Sequence, residues 1–132
     1  MRALMTFAVT AALLLAACAQ GPAKLTVTMD EWSIKLSQSS VPSGSVAFSL
    51  QNAGKEEHEL VILKTDIAPD KLALRASDPT KVEEPGAVGE IEEVAPGTSK
   101  EATFDLQPGN YVLICNEATH YQAGMRIAFV VR

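Results

Sequence analysis

Cysteine and histidine are scarce in this chain: two of each occur among 132 residues. With so few thiols a disulfide-stapled fold is excluded once Cys18 is given another use, because Cys115 is then left without a partner. Basic residues are also in short supply. Eleven Lys and Arg stand against sixteen Asp and Glu, a formal charge of −5, and no cluster of positive charge exists to meet phosphates. Nucleic-acid binding is therefore not expected. Long apolar runs are missing too. The longest, Ala3 to Ala17, is broken only by Thr6 and Thr10, and it falls short of the roughly 20 residues a membrane-spanning helix requires. Internal repeats and low-complexity tracts are absent.

That apolar run has a different use. Arg2 supplies a positive start, the core is apolar, and small residues close it, which describes an export signal over residues 1–17. The closing Leu15-Ala16-Ala17-Cys18 resembles the bacterial lipoprotein cleavage motif, in which the cysteine becomes the acylated first residue. The resemblance implies a lipid anchor on Cys18, and ordinary cleavage near Ala19 is the alternative. Residues 18–23 contain Gly-Pro and small side chains, as a tether would. Residues 24–132 have the length of one domain, enough to bury roughly 65% of the unfolded surface without cross-links. An exported location, periplasmic or at the cell surface, follows. An unpaired Cys115 in such an oxidising setting invites oxidation unless something occupies it, and a bound metal would do so.

Alternation dominates the domain. Leu25, Val27 and Met29 share one face of a short run, and Trp32, Ile34 and Leu36 share the next. Val46, Phe48 and Leu50 alternate with small or polar residues, the pattern of a half-buried strand. Asn52-Ala-Gly54 carries turn chemistry. His58 to Lys64 is apolar and β-branched enough for a central strand. Gln107-Pro-Gly-Asn110 turns between strands ending at Leu106 and starting at Tyr111, and Ile127 to Val131 closes the chain as a strand. Asp70 to Ala76 is built of helix formers, with Asp70 as N-cap, and predicts a short helical insertion. Ser77 to Gly89, with Pro79, Pro85, Gly86 and Gly89, predicts a long loop. The fold class is all-β, an antiparallel Greek-key sandwich with one short helical insertion. Acidic residues crowd between Glu83 and Glu93; they suit a solvated loop, or a patch that steers a basic partner.

The chemistry concentrates in Cys115-Asn-Glu-Ala-Thr-His120-Tyr-Gln-Ala-Gly-Met125, where thiol, imidazole and thioether recur at equal spacing. One tight loop could bring all three to a metal ion, and His58 is the one other histidine available. Thiolate, two imidazoles and a weak thioether form the donor set of a blue-copper electron-transfer site. Zinc prefers four firm ligands. A Cys–His nucleophilic pair would need a third, orienting residue that is not evident.

Pro108-Gly-Asn-Tyr-Val-Leu-Ile-Cys115, His120 and Gly124-Met125, followed by an apolar strand, resemble the cupredoxins. Asn52-Ala-Gly-Lys-Glu-Glu-His58-Glu-Leu-Val-Ile resembles their first-histidine region. The resemblance runs from about Leu25 to Arg132. It implies a β-sandwich holding one type 1 copper ion through His58, Cys115, His120 and an axial Met125. It also implies a one-electron carrier between redox partner proteins, not an enzyme, with His120 and Tyr121 at the electron port; a monomer is expected. Copper sequestration or delivery without a redox role is the alternative, although tracts rich in Met and His, which such proteins tend to carry, are absent. Two residues depart from the family pattern. Glu59 stands where an asparagine commonly ties the ligand loops together, and Glu117-Ala-Thr119 replaces the Pro-Gly of many long ligand loops. With Glu57, these acidic residues are expected to favour Cu(II) and lower the potential.

Overall fold

The computed structural model describes residues 21–132. The export segment, Cys18 and the first part of the tether lie outside the described residues. Among the described residues nine strands make two sheets: β1 (Ala23–Asp30), β2 (Ser33–Leu36), β3 (Ser40–Val41), β4 (Gly44–Asn52), β5 (His58–Lys64), β6 (Ala87–Val94), β7 (Ser99–Leu106), β8 (Gly109–Ile114) and β9 (Arg126–Val131). One sheet has the order β2-β1-β4-β7 and the other β3-β9-β8-β5-β6. The alternation read from the sequence is the packing pattern. Leu25, Val27, Met29, Val46, Phe48 and Leu50 face Leu60, Ile62, Leu113 and Phe129 across one core, each apolar side chain contributing about 1.5–3 kcal/mol of burial.

The sheets are mixed, where an antiparallel sandwich was expected. β1 pairs with β4 in parallel, and β3 pairs with β9 in parallel. The cause is a crossover. After β2 the chain passes to the second sheet as β3, then returns as β4 beside β1 running the same way. Trp32, expected on a strand face with Ile34 and Leu36, lies in the turn between β1 and β2 and is 44% exposed.

β5 is buried along both faces from His58 to Leu63, which is why its sequence is continuously apolar instead of alternating. Leu60 and Ile62 enter the main core. Val61 and Leu63 point the other way, into a second cluster with Val112, Ile114, Leu72, Val82 and Tyr121. The residues between β5 and β6 provide that cover. The helical insertion expected over Asp70 to Ala76 is a single 3-10 turn, Pro69–Lys71, preceded by Ala68 and lacking a side-chain cap. Leu72 already has extended backbone, because burying it against Tyr121 outweighs the helix preference of its neighbours. Leu74 and Val82 then form an isolated bridge. The expected loop to Gly89 ends sooner, at the start of β6, so Glu90, Glu92 and Glu93 sit on a strand. β6 is an edge strand, and its charges discourage pairing with other chains.

Candidate metal centre

Three of the four predicted donors converge. His58 opens β5, Cys115 follows the last residue of β8, and His120 opens a one-turn helix, α1 (His120–Ala123). The ligand atoms of His58, Cys115 and His120 all lie within 4.8 Å of one another. His58 Nδ1 is 3.3 Å from His120 Nδ1, and Cys115 Sγ is 3.4 Å from His120 Nδ1 and 3.8 Å from His58 Nδ1. A point equidistant from those atoms lies about 2.0 Å from each, close to the bond lengths that nitrogen and sulfur donors make to a metal ion. His58 and Cys115 are fully buried, and His120 is 9% exposed.

Backbone hydrogen bonds draw the loop 115–125 tight. Met125 N–H donates to His120 O at 3.1 Å, and Cys115 N–H donates to Met125 O at 3.1 Å. The fourth donor residue, Met125, is thereby held beside Cys115, with its side chain buried in the main core. Gly124 has φ +131°, and a Cβ there would meet Trp32 O at 3.0 Å, so this corner suits glycine on two counts.

Protonation follows from burial. Both histidines are held below the ordinary imidazole range, His58 by burial and the neighbouring His120 charge, His120 by burial. They are neutral at pH 7 and present lone pairs. Burial pushes the Cys115 thiol up to about 11, opposed by the Glu59 N–H, which approaches Sγ at 3.5 Å. Two neutral rings with Nδ1 lone pairs facing each other at 3.3 Å repel, unless a proton or a cation sits between them. The donor chemistry thus fits a soft metal ion, bound with loss of the thiol proton.

Glu59, at the position where the sequence resemblance leads one to expect a linking asparagine, is buried, and desolvation with the nearby Glu117 pushes its carboxyl up to about 7. Two other asparagines tie the loops: Asn52, legible in the sequence only as turn chemistry, and Asn116. Asn52, buried at the end of β4, donates to Glu56 O and Val94 O, each at 2.7 Å. Asn116, fully buried, accepts from Val82 N–H at 2.7 Å and donates to Val82 O at 3.0 Å. Thr119 N–H also reaches across, donating to Thr80 O at 2.8 Å. The excursion between β5 and β6 therefore braces the ligand loop.

Tyr121, expected at a partner-facing port, is 4% exposed. Its hydroxyl donates to Pro69 O at 2.7 Å and accepts from Leu72 N–H at 3.1 Å, because the excursion covers that side of the loop. The exposed ring beside the centre is Trp32, which meets His120 edge-on with centroids 4.8 Å apart.

No protein-family model and no curated protein matches the chain. Solved structures do. A reduced auracyanin from the photosynthetic bacterium Roseiflexus castenholzii superposes with TM-score 0.64 at 22% identity, over 85% of this chain and 99% of that one. Auracyanin A, a blue copper protein from Chloroflexus aurantiacus, gives 0.61 at 18%, over 85% and 100%. Rusticyanin from Thiobacillus ferrooxidans gives 0.61 at 15%, over 85% and 79%. The fold is that of a cupredoxin. At these identities the fold is what the chain shares with them. In this cupredoxin fold the donors stand at one end of the sandwich, on the start of β5 and the loop joining β8 to β9.

Proposed function

We propose that the chain is a one-electron carrier and that His58, Cys115, His120 and Met125 would hold a single type 1 copper ion. The observation that carries it is the buried triangle of Sγ and two Nδ1 atoms. Auracyanin A and rusticyanin, which share the fold, are copper proteins, and this supports the choice of metal. When bound, copper supplies a Cu(I)/Cu(II) couple.

The protein's part is to keep the donors still. His58 is fixed by a strand paired on both sides, and Cys115, His120 and Met125 by the closed loop and its brace. Such a frame resists rearrangement between oxidation states. His120 is the donor nearest solvent, with Trp32 exposed against it, so electrons would pass there to redox partner proteins. Burial of all four residues also argues against ready release of the ion, and so against a delivery role. No enzymatic reaction is assigned.

Export over residues 1–17, acylation of Cys18, a tether over 18–23 and a copper domain over 24–132 belong to the same proposal. They rest on the amino-terminal sequence; among the described residues no helix is long and apolar enough to cross a membrane. Reconstitution with Cu(II), read by visible absorption and electron paramagnetic resonance, tests the centre. A strong thiolate-to-copper band that Cys115→Ser abolishes is expected; a colourless protein with unaltered Cu(II) signals refutes it. Slow transfer of the ion to a chelator together with fast electron self-exchange separates a carrier from a delivery protein.

A further inference from the structure

One atom of the His58 ring has no explanation in the donor triangle. Nε2, on the edge away from Cys115 and His120, is buried without a hydrogen-bond partner among the described residues. Glu31 Oε1 stands 3.5 Å from it, too far for a well-formed hydrogen bond but close enough for a charge to act on the ring dipole. Glu31 is in the turn between β1 and β2, distant in sequence from His58, yet a seat has been built for its carboxylate. Oε1 accepts from Lys55 N–H at 2.7 Å and Glu56 N–H at 2.9 Å, both in the loop leading into His58. Gly54 leaves the necessary space: a Cβ there would lie 2.2 Å from Oε1 and 2.8 Å from Cδ. The same amides hold the Glu31 carboxyl below the usual carboxylate range. The side chain is one-quarter exposed, so the charge is rooted at the rim and directed inward.

We propose that Glu31 is a positioning residue for the metal centre, holding His58 with its proton on Nε2 and setting a fixed negative charge behind the ring. A neutral imidazole carries one ring proton, and the nitrogen that faces an acceptor keeps it. With the proton on Nε2, the Nδ1 lone pair faces Cys115 Sγ and His120 Nδ1, as a ligand must. A carboxylate behind a ligating histidine also makes the ring a stronger donor, which favours the more highly charged oxidation state. The consequence for the metal rests on the copper proposal above; the tautomer does not.

Three variants separate these effects. Glu31→Gln keeps an acceptor oxygen for the loop amides and removes the charge. Glu31→Ala removes both. Gly54→Ala keeps the charge but displaces the carboxylate, and Gly54 lies outside the left-handed region, so alanine adds no backbone strain. In the copper-free protein, nitrogen–proton correlation spectra of the His58 ring should show the Nε2-protonated form in wild type. Glu31→Ala and Gly54→Ala should give a mixture of tautomers, and Glu31→Gln should keep the wild-type form. In the copper-loaded protein, all three should raise the reduction potential, and Glu31→Ala should weaken copper binding by about 10- to 100-fold. A proton on Nδ1 in wild type, or a Glu31→Ala protein with unchanged tautomer and potential, overturns the role of Glu31 even where copper binds normally. A wild-type protein that shows the tautomer response but takes up no copper supports the hold on His58 and overturns the copper proposal instead.

Discussion

Asn116→Ala would show how far the ligand loop depends on the excursion between β5 and β6. Asn116 is the residue after Cys115, and its amide makes three contacts across to that excursion. Oδ1 accepts from Val82 N–H at 2.7 Å; Nδ2 donates to Val82 O at 3.0 Å and to Glu84 Oε1. Their fates differ on truncation. Val82 O keeps Arg75 Nε at 2.9 Å, and Glu84 Oε1 keeps Arg75 Nη2 at 2.6 Å. Val82 N–H has no second acceptor among the described residues, and Val82 is fully buried. An orphaned buried N–H costs about 1–3 kcal/mol, and each of the two lost donor bonds adds about 0.5–1.5 kcal/mol at most, partly recovered by their remaining partners. The total is about 2–4 kcal/mol, or a fall in Tm of roughly 6–16 °C for a domain of this size. Thermal unfolding of the metal-free protein measures it, and amide hydrogen exchange at Val82 locates it. A Tm within about 2 °C of wild type, with Val82 exchanging as slowly as before, would refute the brace.

Tyr121→Phe removes a hydroxyl bonded to Pro69 O and Leu72 N–H; stability should fall by about 1–2 kcal/mol, read as a lower Tm, while the copper-dependent absorption keeps its intensity, and a lost band would place Tyr121 nearer the metal chemistry than its contacts suggest. Copper should stabilise the folded protein by mass action, by about 4 kcal/mol when free ion exceeds Kd a thousandfold, read as a higher Tm, and His120→Ala should remove most of that gain; equal gains in both proteins would mean that the ion binds elsewhere. Asp78 accepts from Thr80 Oγ1 and Thr80 N–H, and these bonds hold its carboxyl below 3.8. Because the folded-state value is depressed, the stability it contributes is present above pH 3.8 and lost as pH falls through the lower folded value. The Tm advantage of wild type over Asp78→Asn should thus be constant above about pH 5 and shrink below 3.8; an advantage that does not change with acid would contradict it.

The excursion also shows where local sequence signals stop. Asp70 to Ala76 is rich in helix formers, but three residues of 3-10 turn satisfy it, since Leu72 gains more by burial under Tyr121 than by continuing a helix. Tyr121 was legible as a neighbour of a ligand and not as a buried one. The residues that bury it lie some fifty positions away, so no local pattern could report them. Glu31 and Trp32 were invisible as parts of the centre for the same reason. Their sequence neighbourhood is a turn, and their partners His58 and His120 come from elsewhere in the chain.

Donor identity and strand alternation were determined by the sequence alone, because ligand chemistry belongs to the side chain and two-residue periodicity belongs to a half-buried strand. Order along the chain also put Cys115, His120 and Met125 on one loop. Bringing His58 to that loop, running β1 parallel to β4, turning Tyr121 inward and seating a carboxylate behind an imidazole were decided by tertiary structure. Each depends on contacts between residues far apart in sequence, and the energy of those contacts exists only once both sheets have closed on their core.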